Sequence, residues 1–350
     1  MSAEAGNELD VATAPGRITR RVAGLALLVG VVVLAIWTLP GVDEVRDRFA
    51  DAKAGWIAVA AACSLGSMLG FVRALWAAFD RLVPWRRAVV LGFAEQAANV
   101  LLPAGGVGGP ALGALVMRRA GVPSAFAAER HAVLFLATSF VSFVALVLAG
   151  TLLSVGVLPG DVSLAASLIP AVVAALVIVG SIAFAYSDTP PASVRGRARA
   201  TVWRARVFVH SGARATLVLL RRGDRLLIVG AVSYYAFDVG ALGASFQAFG
   251  GGAPPVGVFV LAYTLGHAGA LLPTPGGLGG TEGGLIGMFV AFGTPLSLAT
   301  AAVLGYRVFQ LGMPAILGGL CMLRIRKLLA GELPRDVVAA RFAGVGSEGE

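Results

Sequence analysis

Leu102-Pro103-Ala104-Gly105-Gly106-Val107-Gly108-Gly109 decides how this chain reads, because a second copy, Leu272-Pro273-Thr274-Pro275-Gly276-Gly277-Leu278-Gly279-Gly280, returns in the second half. Each copy interrupts an otherwise apolar run. Glycine and proline do not continue a helix without cost, so such a string inside a membrane-length run marks a break in it. Unwound backbone at membrane depth survives only where protein or a water-filled cavity covers it. Both breaks are therefore candidate walls of a site.

The composition around these strings is that of a membrane protein. Of 350 residues, 57% are hydrophobic and 13% charged, and the mean hydropathy is +0.84, well outside ordinary soluble domains. The fold class expected is all-α and polytopic. Cys63 and Cys321 fall in separate apolar runs, where inert core thiols are a better account than a disulfide. The formal net charge is +9, and lysine occurs only at Lys53 and Lys327. With so much alanine and glycine alongside, arginine as such says little about chemistry. Its placement says more.

Residues 1–21 read as a cytoplasmic N-terminal tail, ending in Arg17, Arg20 and Arg21 before an apolar run at 22–39. That run is long for a signal-peptide core and no small-x-small cleavage site follows, so it is taken as the first spanning helix. Residues 42–53 space Val42, Val45, Phe49 and Ala52 at helical intervals among acids and bases, which suits a short helix on the outer surface. A second span at 56–79 returns the chain to Arg81, Arg86 and Arg87. The apolar stretch 88–117 is too long for one span of about 20 residues and too short for two. The first glycine string sits at its middle, and arginines flank both ends. It is expected to enter and leave on the cytoplasmic side as a re-entrant helical hairpin, with Pro110 in the first turn of the outgoing arm.

Spans at 124–150 and 164–186 follow, joined by a loop that carries Asp161 but no Lys or Arg. Residues 187–225 form a basic cytoplasmic linker, from Arg195 to Arg225, with apolar residues such as Phe208 and Leu217 interleaved. Part of it suits a basic amphipathic helix on anionic lipid. Nucleic acid is not expected as a partner, because arginine beside spanning helices already has a topological role. A span at 226–249, a second broken stretch at 256–292 without Lys or Arg at its ends, and a last span at 296–323 complete the membrane part. Residues 324–350 are expected to be a cytoplasmic tail.

The first half, within residues 22–186, thus reads span, span, hairpin, span, and the second half repeats that order with each direction reversed. The expectation is six spanning helices plus two re-entrant hairpins in a 4+4 inverted repeat. Gly121-Val122-Pro123 after the first hairpin and Gly293-Thr294-Pro295 after the second support the match. Inverted repeats with broken helices near the midplane are the architecture of many secondary transporters. The glycine strings also suit tight helix packing, though that reading leaves their mid-segment position unexplained.

The paired LPxGGxGG and GxP pattern, over about residues 20 to 325, is similar to the transmembrane region of lysylphosphatidylglycerol synthases, the flippase-like family. Full-length members join this region to a soluble aminoacyl-transferase domain. Here the sequence ends soon after the last apolar run, so the catalytic half is expected to be missing. The resemblance implies lipid translocation or another membrane role, and not lysyl transfer.

An ionised group at mid-membrane costs about 2.5–3.5 kcal/mol on insertion scales, so each needs an explanation. Arg130 and Arg307 follow the two hairpins and are read as quasi-equivalent, mid-span groups. A guanidinium binds phosphate bidentately, and the outgoing arms aim helix N-termini at the midplane. Arg130, Arg307, Asn99 and the tip glycines Gly105, Gly106, Gly108, Gly109, Gly276, Gly277, Gly279 and Gly280 are the substrate-binding candidates. Alternatively each arginine neutralises an internal acid, from among Glu95, Glu129, Asp238 and Glu282. Glu282 also suits the first turn of a helix. His131 and His267 can titrate, although a lone histidine is more often a hydrogen-bonded core residue. Arg73 and Asp80, near a span end, receive no role.

No phosphate-binding loop, HExxH, CxxC or nucleophile elbow occurs, so no enzyme activity, metal or cofactor is expected. The leading expectation is a flippase-like transporter of the plasma membrane moving a phospholipid or polyprenyl-phosphate-linked headgroup, with anionic lipids as partners. The alternatives are an accessory subunit of a lipid- or glycan-assembly enzyme, with a partner enzyme or second copy bound, and a transporter of a small anion.

Overall fold

The computed structural model describes residues 43–102, 107–187, 197–221, 223–271 and 277–330, with scattered positions between 16 and 38. The expected first span at 22–39 lies mostly outside these residues. The hairpin tips at 103–106 and 272–276, and the tail beyond 330, lie wholly outside them.

Every regular element among the described residues is helical, because in lipid each backbone N–H and C=O needs an internal partner. A short α1 (Asp43–Ala50) precedes the long α2 (Ala54–Ala78). α3 (Trp85–Leu101) and α4 (Gly108–Arg119) are the two arms of the first broken stretch. They run past 88–117 to include Arg86, Arg87, Arg118 and Arg119. α5 (Ser124–Ser154), α6 (Leu164–Tyr186), α7 (Arg197–Arg221) and α8 (Arg225–Ala248) follow. The second broken stretch comprises α9 (Val256–Gly266), a 3-10 turn (His267–Leu271) and α10 (Gly280–Ala291). α11 (Leu296–Met313) passes through a π turn (Pro314–Gly318) into α12 (Gly319–Ala330).

Among the described residues, five helical runs are long and apolar enough to cross a membrane: α2, α5, α6, α8 and Leu296–Ile325. The arms α3, α4, α9 and α10 have 17, 12, 11 and 12 residues. At about 1.5 Å per residue, each falls short of a hydrocarbon core of about 30 Å.

Local chemistry sets these boundaries. Pro84, Pro123, Pro255 and Pro295 each occupy the N-cap of the helix that follows, where a missing N–H costs nothing. Gly121 and Gly293 both have a φ of +88°. Beside them the Val122 N–H donates to the Met117 carbonyl, and the Thr294 N–H to the Phe289 carbonyl. These are glycine C-caps of one kind, so the two GxP copies share a geometry as well as a sequence. Asp224 caps α8 by accepting from the N–H groups of Leu226 and Leu227, and it also pairs with Arg81.

The centre of the molecule is the α2–α8 pair, the most extensive helix contact among the described residues. A Cβ on Gly70 would lie 2.5 Å from the Tyr234 backbone nitrogen, and one on Gly230 would lie 2.5 Å from that of Ala74. Gly66 faces the Phe237 ring in the same seam. Small residues four apart on α2 let the two backbones touch, which drives helix association in lipid. α3 packs against the π turn and α12. There the Pro314 ring disturbs the regular ladder and Gly318 lies against the Phe93 carbonyl. α9 packs against α5. α6 turns Ile169, Leu176 and Val179 outward, each more than 60% exposed, a face that suits lipid. α7, within the expected linker, lies across α5 and α6. His210 is buried on its inner side, 2.8 Å from the Ser187 carbonyl.

Gly70→Leu is expected to destabilise the fold by about 1–3 kcal/mol through overpacking. Gly55→Leu, a site with open space around it, is the control and should change little. Unfolding in mixed micelles titrated with dodecyl sulfate measures both.

Candidate functional site

Where α2, α3, α8 and α11 meet the two broken stretches, the helices enclose a cavity of about 270 Å³. Ser64 and Ser67 face it from α2, and Gln96 and Asn99 from α3. Asp238 and Tyr234 come from α8, His267 from the 3-10 turn, Gly277 and Thr281 from the second break, and Arg307 and Gln310 from α11. The volume lies just below the usual range for ligand pockets, about 300 to 1,000 Å³. It suits a headgroup and not a whole lipid.

The polar wall grows out of the second break. The Gly279 N–H, at the start of α10, donates 2.7 Å to Glu282 Oε2, a carboxylate placed where the helix dipole favours it. The other oxygen, Oε1, accepts 2.7 Å from Arg307 Nε. Arg307 Nη1 then donates to Gln310 Oε1. Asp238 closes the chain: its Oδ2 accepts from the Tyr263 hydroxyl at 2.5 Å, the Tyr306 hydroxyl at 2.7 Å and Gln310 Nε2 at 3.4 Å. All three bonds fall on one oxygen, Oδ2, of a carboxylate that lines the cavity. His267 Nδ1 donates to the Tyr263 carbonyl at 3.1 Å, while Nε2 lies 3.5 Å from the Gln310 amide. The wall therefore presents a guanidinium and a carboxylate side by side.

The first break is treated in a parallel way. The Gly109 N–H donates 2.7 Å to Asn99 Oδ1, so a side chain from the incoming arm satisfies backbone freed at the tip. Gly108 packs 2.6 Å from the Ala98 carbonyl oxygen, counting from the Cβ it lacks. Pro110 stands in the first turn of α4, where proline is tolerated.

Of the residues the sequence singled out, the structure brings Arg307, Asp238, His267, Asn99 and Gly277 to the cavity wall, with Glu282, Gly279 and Gly280 directly behind. Gly105, Gly106 and Gly276 lie outside the described residues. Arg130 is not on that wall. It sits within the first two turns of α5, 3.0 Å from Asp80 and stacked over Phe126. The mid-span, quasi-equivalent pairing of Arg130 with Arg307 is therefore corrected. Its offset from Pro123 and that of Arg307 from Pro295 differ by more than a helical turn. Asp80, given no role from sequence, is its partner. Glu129 is half-buried on α5 and also away from the cavity, and Glu95 pairs with His131.

Sequence reasoning missed Ser64, Ser67, Gln96, Tyr234, Tyr263, Tyr306 and Gln310. One signal was present: Gln310 follows Arg307 at i+3, on the same helix face. The tyrosines and serines give no comparable signal, because single neutral polar groups barely change hydropathy.

Removing one partner of a buried ion pair costs about 3–5 kcal/mol, whereas an exposed pair contributes about 1 kcal/mol or less. Glu282→Ala should thus lower stability in the dodecyl sulfate titration far more than Asp43→Ala, which breaks the exposed Arg46–Asp43 pair.

Residues 21–318 match the family model described as the lysylphosphatidylglycerol synthase TM region. No curated protein matches the chain. The family match extends from Arg21 through both glycine strings and both GxP turns to the π turn. With most of its length accounted for in this way, the chain belongs to the lysylphosphatidylglycerol synthase TM region family.

Proposed function

We propose that the chain is a non-enzymatic, flippase-like transporter that moves a phospholipid or polyprenyl-phosphate-linked headgroup across the plasma membrane. The observation that carries this is the wall itself, where Arg307 and Asp238 line one headgroup-sized cavity. A guanidinium takes a phosphate oxygen pair, and a carboxylate takes an ammonium or hydroxyl. A phospholipid headgroup with both groups satisfies both at once. A small anion would leave Asp238 facing like charge.

The same reading makes the two broken stretches re-entrant hairpins of a 4+4 inverted repeat, with both termini cytoplasmic. Three features support it. The GxP turns share one conformation. α2 and α8, which hold the same place in each half, pack on each other. The first hairpin leans on the last span of the second half, and the second hairpin on the last span of the first. Alternating access would then be a rocking of one half against the other about the cavity. The arginines of α3, α4 and α7 set the cytoplasmic side and face anionic lipid.

The test is reconstitution into liposomes with headgroup-labelled phospholipids, read by quenching from outside. Wild type should exchange lipid faster than empty liposomes. Arg307→Ala and Asp238→Asn should each slow it about tenfold or more, the size of one lost charge-assisted contact. Wild-type vesicles indistinguishable from empty ones would sink the reading. A partner enzyme retained on purification, and lost when α7 is deleted, would favour the accessory role instead.

A further inference from the structure

The first broken stretch buries an acid that the cavity does not use. Glu95 on α3 is fully enclosed, and its Oε1 lies 3.2 Å from Nε2 of His131 on α5. Its other oxygen, Oε2, is buried without a hydrogen-bond partner. Three elements close around the pair. Phe79, the C-cap of α2, sets its ring edge-on to the imidazole, at 5.0 Å between centroids. α4 contributes Gly113, where a Cβ would overlap Glu95 Oε1 and lie 2.5 Å from His131 Nε2. α7 covers the next position, with Gly212 against Ala132.

The hydrogen bonds fix the proton inventory. His131 Nδ1 is 2.8 Å from the Ala127 carbonyl, which can only accept, so Nδ1 carries a hydrogen. Nε2 and Oε1 can then approach only with one proton between them, whether it resides on the ring or on the carboxyl. Without it an imidazole lone pair faces a carboxylate in dry surroundings, and a buried charge is left uncompensated. Among the described residues the charge acting on His131 is that of Glu95. The neighbouring Arg130 is committed to Asp80 at the end of α2, Glu129 is half-buried beside it on α5, and α4 and α7 present glycine.

We propose that Glu95 and His131 form the binding site of one coupling proton, and that its loss releases the first broken stretch from α5. The closed form holds one proton more than the released form, so raising the pH favours release. Release would reach the cavity through α3, because Asn99, one turn beyond Glu95, both lines the cavity and caps Gly109. That last link to transport rests on the lipid reading, and the latch itself does not.

Hydrogen exchange of the full chain in nanodiscs tests the latch without any substrate. In wild type, protection of residues 85–101 and 108–119, corrected for intrinsic exchange, should fall about tenfold per pH unit while the pair gives up its proton. Glu95→Gln lets its amide donate to a neutral Nε2, a bond that needs no shared proton, so its protection should not fall as the pH rises. Gly113→Ala forces the pair apart, and it should be unprotected at every pH. A pH-independent wild type, or Glu95→Gln following wild type, would overturn the proposal. In liposomes, an imposed pH gradient should stimulate lipid flux in wild type and leave Glu95→Gln at its gradient-free rate. Absence of flux in wild type counts against the lipid reading, while the exchange result still decides the latch.

Discussion

A helix broken inside a bilayer leaves backbone N–H and C=O groups with no water to bond, and that cost organises the rest of this structure. Each break is answered by a side chain: Asn99 accepts from Gly109 after the first, and Glu282 accepts from Gly279 after the second. The two answers differ in charge, and the difference propagates. A neutral amide ends the matter locally. A carboxylate needs a cation, which Arg307 supplies, and Arg307 in turn orders Gln310 beside Asp238. The polar wall is thus a consequence of how the second break is capped. It is held by Tyr263 and Tyr306, whose rings fill the core while their hydroxyls reach the Asp238 carboxylate.

The apolar side of the fold supplies the frame in which those bonds are short. Lipid gives helices no hydrophobic reason to associate, so close backbone approach has to do it. Gly66, Gly70 and Ala74 on α2 meet α8 through Tyr234 and Gly230, directly beneath Ser67 and Tyr234 on the cavity wall. The Ser67 hydroxyl donates to the Tyr234 carbonyl at 2.9 Å in that seam. The same contact that joins the two halves therefore forms the floor of the site.

Much of this was legible in the chain, for identifiable reasons. Hydropathy located the five long runs, because an apolar face in lipid is also an apolar sequence. The GxP copies were legible because only glycine adopts the positive φ at 121 and 293 cheaply. Family membership followed from the same strings. The seam glycines at 66 and 70 stand in the sequence at GxxxG spacing, itself a packing signal. Arg130 is only the seventh residue of the expected span at 124–150, so a mid-span position did not follow from the sequence. α5 begins at Ser124 and continues to Ser154, so Arg130 lies near its start, within reach of Asp80. The Asp238 network was out of reach, since its members come from α8, α9 and α11 and meet only in three dimensions.

The two broken stretches are followed by GxP turns of one geometry, yet they diverge in what lies buried around them. The second half places its ionised groups around a cavity, where a ligand can compete for them. The first half seals Glu95 and His131 behind Gly113 and Phe79, where nothing larger than a proton has room. Were the chain an inverted repeat with the same chemistry at both breaks, it would respond alike at its two faces and have no preferred direction. A ligand-sized site in one half and a proton-sized site in the other removes that degeneracy. On the transport reading proposed above, the proton would bias one arm and the headgroup the other, and a two-state molecule needs differential binding of this kind before any gradient can drive it one way.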